Sequence, residues 1–186
     1  QSDVVFGATR SGRASSVPDA AAIVGCLINT VPVRVVVDGD AALADWLRQL
    51  QQRERAMRPF EQTPLLDIQS VSDVKAAGSE GRRLFDSLVV YDHRSLDGQM
   101  QARGPAFARR RFRLVEQAPY ALTLYAYGEP GLAFELAYDE PRFDAAVAER
   151  MLAGLGRLLE DMAARPQARL DALGVRRAHL VLHDFG

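Results

Sequence analysis

Val24-Gly25-Cys26-Leu27-Ile28-Asn29-Thr30-Val31-Pro32-Val33-Arg34 is the stretch on which the fold turns. Its first half belongs to a short apolar run, Ile23 to Ile28, and its second half is rich in β-branched residues. β-Branched side chains are stiff at χ1 and fit a pleated sheet better than a helix. The change of character predicts a short helix from Asp19, as its cap, through Gly25, then a buried strand over Val31 to Val37 that ends at Asp38-Gly39. Asn29 and Thr30 fall between the two, where a polar side chain must bond to local backbone or face a cavity. Arg34 inside such a strand calls for an ion pair or an exposed edge, with Glu61 and Asp67 as candidate partners. Cys26, the only cysteine, leaves no disulfide framework and no cysteine-based metal site. Its apolar neighbours predict a buried, inert thiol.

Upstream, Asp3 to Thr9 reads as a strand, and Arg10 to Pro18, which contains Ser11-Gly12-Arg13, is too rich in turn residues to continue it. Downstream, Asp40 is placed to cap a helix that carries Leu43, Leu47, Leu50 and Met57 near one face and ends at Arg58-Pro59. Thr63-Pro64 offers a second start, a capping side chain followed by proline at the first helical position. Ser70 to Arg83 reads as a polar loop, Phe85 to Tyr91 as a strand, and Asp92 to Pro105 as turn chemistry. Three further strands are expected over Arg110 to Glu116, Ala121 to Tyr127 and Leu132 to Tyr138, the last two joined by the hairpin Gly128-Glu129-Pro130-Gly131. From Asp144 a long amphipathic helix carries Val147, Met151, Leu155, Leu158, Leu159 and Met162 until Pro166, and the tail from Gln167 reads as a linker. Strands and helices without strict βαβ alternation predict an α+β sandwich, a mixed sheet covered by helices. The domain is drawn over residues 1–174, with 175–186 as tail.

A chain of 186 residues suits one domain or one lobe of a larger one. It opens with Gln1-Ser2-Asp3 and runs at once into Val4-Val5-Phe6, which reads as a piece of a longer polypeptide. The formal net charge of -1 points to no strongly charged partner. Lys75 is the only lysine, a bias expected of a GC-rich bacterial genome. Arg109-Arg110-Arg111 and Arg113 alternate with Phe112 and Leu114 like a strand with one wet face, and no reading motif for nucleic acid accompanies them. No apolar run reaches membrane-spanning length and no secretory signal is present, so a cytoplasmic protein is expected. His179 and His183 are spaced i,i+4 but have no third ligand nearby, so no metal is expected.

Four segments in order resemble the second half of nonribosomal peptide synthetase condensation domains. Phe6-Gly7-Ala8-Thr9 with Ser11-Gly12-Arg13 is similar to the family's strand and loop, and Val24 to Arg34 to its VGxFINTxPxR signature. Arg58-Pro59-Phe60-Glu61-Gln62-Thr63-Pro64-Leu65 is similar to its YPFExxP tract, and Leu84-Phe85-Asp86-Ser87 matches LFDS. The resemblance runs from about Asp3 to about Leu173 and implies a C-terminal lobe of the chloramphenicol acetyltransferase-like superfamily, with the active site in a tunnel between lobes. It further implies that Ser11, Gly12, Arg13, Asn29 and Thr30 line the tunnel, and that Arg34, Phe60, Glu61, Pro64, Phe85 and Asp86 are structural. Gly7 and Gly12 would leave room for a passing pantetheine arm. The family's catalytic HHxxxDG motif belongs to the N-terminal lobe, so this lobe alone is expected to be inactive and to bind no cofactor itself. Its substrates would ride on the phosphopantetheine of peptidyl carrier proteins. Its partners would be the N-terminal lobe, those carriers and an adjacent adenylation domain, and neither nucleic acid nor membrane.

One motif competes. Tyr91-Asp92-His93-Arg94-Ser95-Leu96-Asp97-Gly98 contains HxxxDG and resembles the catalytic segment of dihydrolipoyl acyltransferases. In that reading His93 is a general base at a strand end and Asp97 fixes the turn by ion pairing. The frame differs, because three strands and a long helix are expected after it, where only a short helical tail follows in those enzymes. A free-standing acyltransferase using His93 and a non-catalytic carrier-docking module therefore stand as alternatives.

Overall fold

A computed structural model describes residues 3–13, 18–72, 83–112 and 120–174. The chain divides into two compact units, Gln1–Asp86 with Ala153–Gly186, and Ser87–Leu152.

In the first unit β1 (Asp3–Arg10) pairs antiparallel with β2 (Asn29–Val36), Asp3 opposite Val36 and Arg10 opposite Asn29. Successive side chains leave opposite faces of a strand. Val31 and Val35 are accordingly buried while Arg34 and Val36 are exposed, so β2 is half-buried where a fully buried strand was expected. Arg34 finds its partner diagonally across the pair: its Nη2 lies 2.6 Å from Asp3 Oδ2 and its Nε 3.0 Å from Asp3 Oδ1. Neither Glu61 nor Asp67 is that partner. The hydrogen bond from Arg34 holds the Asp3 carboxyl below the usual carboxylate range.

The apolar run before β2 departs furthest from its reading. Only Ala20–Ala22 form a 3-10 turn, and Asp19 stands before it in the left-handed region (φ 55°) without capping it. Ile23, Val24, Cys26 and Ile28 are all exposed, so the thiol expected to be buried is on the surface.

Helix α1 (Leu43–Met57) buries Leu43 and packs Trp46 and Leu50 against the core. That i, i+3, i+7 face leaves Leu47 and Met57 exposed. Asp40 does not cap this helix. The Leu43 amide donates instead to the Ala168 carbonyl (2.9 Å), and Asp40 pairs with Arg169. The segment read as linker is thus part of the fold: Leu170 N–H donates to Ala41 O and Asp171 N–H to Gly39 O. Leu170 is fully buried, and with Leu173 it completes a core of Val4, Val35, Val37 and Leu43. Residues 175–186 lie outside the described residues.

After a 3-10 turn at Arg58–Phe60, α2 (Leu65–Val71) begins without a side-chain cap, so Thr63 does not play that part. Most of the loop expected over Ser70 to Arg83 lies outside the described residues. Gly7 packs against Phe85: a Cβ there would stand 2.3 Å from the ring's Cε2, so the space beside Gly7 is taken by Phe85.

In the second unit β3 (Ser87–Asp92) runs parallel to β4 (Leu122–Tyr127), which pairs antiparallel with β5 (Ala133–Tyr138). A parallel pair needs a crossover, and the chain between them contains α3 (Leu96–Gln101) and α4 (Pro105–Ala108), two short helices where turns were expected. The strand expected over Arg110 to Glu116 falls largely outside the described residues, and Arg110 to Phe112 are not in a strand. Helix α5 (Ala145–Ala164) starts at Asp144, whose Oδ1 accepts from Val147 N–H (2.7 Å). Its Val147 and Met151 pack on Ala121, Leu122 and Phe143. Its Leu158 and Met162 join the core of the first unit. The architecture is α+β with mixed strand pairing.

Candidate functional site

The end of the β1–β2 pair carries the residues that the signature segments singled out. Arg10 leaves the last position of β1 and pairs with Glu54 of α1, while its Nε lies 3.4 Å from Glu61 Oε1. Opposite it in register, Asn29 donates through Nδ2 to the carbonyls of Glu61 (2.8 Å) and Thr63 (2.9 Å). A group facing two carbonyl oxygens must be the amide's nitrogen, which fixes the orientation of Asn29. Thr30 is half-buried opposite Thr9.

The loop after β1 is held as firmly. Gly12 has φ 68°, and a Cβ there would meet the Leu27 carbonyl oxygen at 2.3 Å and Gln62 Nε2 at 2.6 Å. Only glycine satisfies both constraints. Arg13 donates from Nη1 to the carbonyls of Ala20 (2.9 Å) and Ile23 (2.5 Å), and from Nη2 to that of Gly25 (2.8 Å). Its fork thereby ties down a stretch of backbone that has no ladder of its own. Ser11 is exposed and its Oγ accepts from the Arg13 amide at 3.4 Å. Phe60 and Pro64 are exposed, Glu61 and Asp86 half-buried, Phe85 buried.

Gly12, Arg13, Asn29 and Glu61 are therefore brought together, with their polar groups engaged in backbone and ion-pair contacts. Phe85 stands under Gly7, and Arg34 stands apart from them with Asp3. Sequence reading missed Arg10 and Glu54. The available signal was an arginine closing an otherwise apolar strand, which calls for a carboxylate.

His93 lies just beyond β3 and is exposed. Its amide donates to Asp92 Oδ1 (2.7 Å), its carbonyl accepts from Glu129 N–H (2.7 Å), and its ring meets Tyr91 edge-on at 6.2 Å. Around it Asp92, Arg94, Gln99 and Glu129 line an open depression of about 510 Å³. Arg94 pairs with Glu129 (2.7 Å), and Gln99 donates to Asp92 Oδ2 (3.0 Å). Asp97 accepts from the Phe112 amide (2.8 Å) and from Gln101 (2.9 Å), and among the described residues it joins no ion pair. Its oxygens are thus taken by neutral donors, and the ion pair expected of it is not formed among the described residues. Ser95 Oγ caps α3 by accepting from Gly98 N–H.

Among the described residues no three His, Cys, Asp or Glu side chains converge as a metal site, and no helix is long and apolar enough to cross a membrane. His179 and His183 lie outside the described residues.

Comparison with known proteins places this geometry. The family described as the condensation domain matches residues 1–177. A linear gramicidin synthase from Brevibacillus parabrevis is 38% identical over 180 residues, covering 92% of this chain and 4% of the relative. Chondramide synthase of Chondromyces crocatus is 35% identical over 174 residues, again covering 92% of this chain and 4% of the relative. The chain thus spans a few hundredths of the length of the curated relatives it matches. Among solved structures, a four-domain nonribosomal peptide synthetase bound to AMP and glycine superposes with a TM-score of 0.72 at 19% identity, covering 91% of this chain and 14% of that one. The starter condensation domain of the rhizomide synthetase gives 0.65 at 18% identity, covering 92% and 39%. With the strand pairing, the signature segments and a family match over nearly its whole length in agreement, the chain belongs to the condensation-domain family of nonribosomal peptide synthetases.

Proposed function

We propose that residues 1–174 form the C-terminal lobe of a condensation domain and supply one wall of the tunnel in which two carrier-bound substrates meet. The reaction is amide formation. The acceptor's amine attacks the donor's thioester carbonyl, the C–N bond forms, the C–S bond breaks, and the donor carrier's thiol leaves with the proton that the amine loses. The family match over residues 1–177 carries this reading. The proton-handling imidazole of the HHxxxDG motif belongs to the N-terminal lobe, and His93 is not that base. In support, Asp97 is committed to the Phe112 amide and Gln101 and forms no ion pair among the described residues, where the motif calls for one.

What this lobe contributes is rigidity. Arg10 and Asn29 clamp the tract around Glu61, and Gly12 and Arg13 hold the loop beside it, so the wall keeps one shape while flexible arms enter and leave. The substrates ride on phosphopantetheine, and this lobe binds no cofactor of its own. Its partners are the N-terminal lobe, peptidyl carrier proteins and a neighbouring adenylation domain, in the cytoplasm of a bacterium.

The test is a domain swap. Residues 1–174 replace the matching part of a condensation domain in the linear gramicidin synthase, and dipeptide formation from loaded carriers is measured. Retained amide formation supports the reading. A correctly folded hybrid that binds loaded carriers without making the bond contradicts it.

A further inference from the structure

We draw no further inference here: the strongest candidate, the surface cluster of exposed arginines Arg103, Arg109, Arg110 and Arg111 on either side of helix α4, carries nothing further because nothing in the structure shows what covers it.

Discussion

Replacing Asn29 by alanine removes two hydrogen bonds at once and leaves two carbonyl oxygens, those of Glu61 and Thr63, without their donor. Each bond is short and part-buried, and a typical intramolecular hydrogen bond is worth about 0.5–1.5 kcal/mol net, so the loss is about 1–3 kcal/mol. Asn29→Asp costs more. It keeps the size but turns an oxygen toward both carbonyls, which repels the charged carboxyl and raises its pKa. A carboxyl whose folded pKa is raised penalises the native state above its unfolded value of about 4 and stops doing so once protonated, so the deficit is largest at neutral pH and shrinks as pH falls. Urea unfolding followed by the fluorescence of Trp46, the only tryptophan, reads both variants. Trp46 is suited to this, since its indole N–H bonds the Val36 carbonyl (2.9 Å) and its ring packs on the core of the same unit. If Asn29→Ala lies within about 0.5 kcal/mol of the parent, the value of an ordinary surface substitution, the side chain is no clamp and the reasoning fails.

Leu170→Ala lowers stability by about 3 kcal/mol in the same assay, while Leu47→Ala on the exposed face of α1 changes it by under about 0.5 kcal/mol. Equal effects would mean that the Gln167–Gly174 segment is the linker its composition suggests. Thr123→Val is neutral or stabilising by up to about 1 kcal/mol, because the buried Thr123 hydroxyl has no hydrogen-bond partner among the described residues. A loss above about 1 kcal/mol would place a partner on that hydroxyl. Asp3→Asn removes a carboxyl whose folded pKa is depressed. Its contribution is present above the unfolded value of about 4 and lost as pH falls through the folded one, so parent and variant differ at pH 7 and converge in acid. A difference that persists unchanged to pH 2 would show that the Arg34 pair is not its source.

The strands and the long helix were legible because their signals are local. The short runs rich in apolar, β-branched and aromatic residues that became β1, β4 and β5, and the 3.6-residue period of α5, are properties of neighbouring residues. What failed depended on partners far away in the chain. Ile23 to Ile28 is apolar enough for a core, yet no described element covers it. Leu170 and Leu173 are two apolar residues in a polar tail, and their burial depends on backbone bonds to Gly39 and Ala41, which no window of neighbouring residues contains. The site was half legible for the same reason. Asn29 stood out as a polar residue between an apolar run and a strand, and Gly12 and Arg13 through the resemblance of their segment, but the contacts of all three are with residues 20–27 and 61–63. Arg34 was rightly expected to pair or to lie at an exposed edge. Its partner escaped prediction because a diagonal cross-strand neighbour is known only once the register is.

The central claim is that the proton in amide formation is handled outside this chain, so the most direct measurement compares His93→Ala with the parent in the hybrid condensation domain, under saturating loaded carriers. The account predicts a turnover number unchanged within about twofold, since His93 is an exposed loop residue and general-base loss typically costs about 10²–10⁴-fold. A loss of about a hundredfold or more, with stability and carrier binding unaltered, would contradict it and make the DHRSLDG turn the catalytic centre.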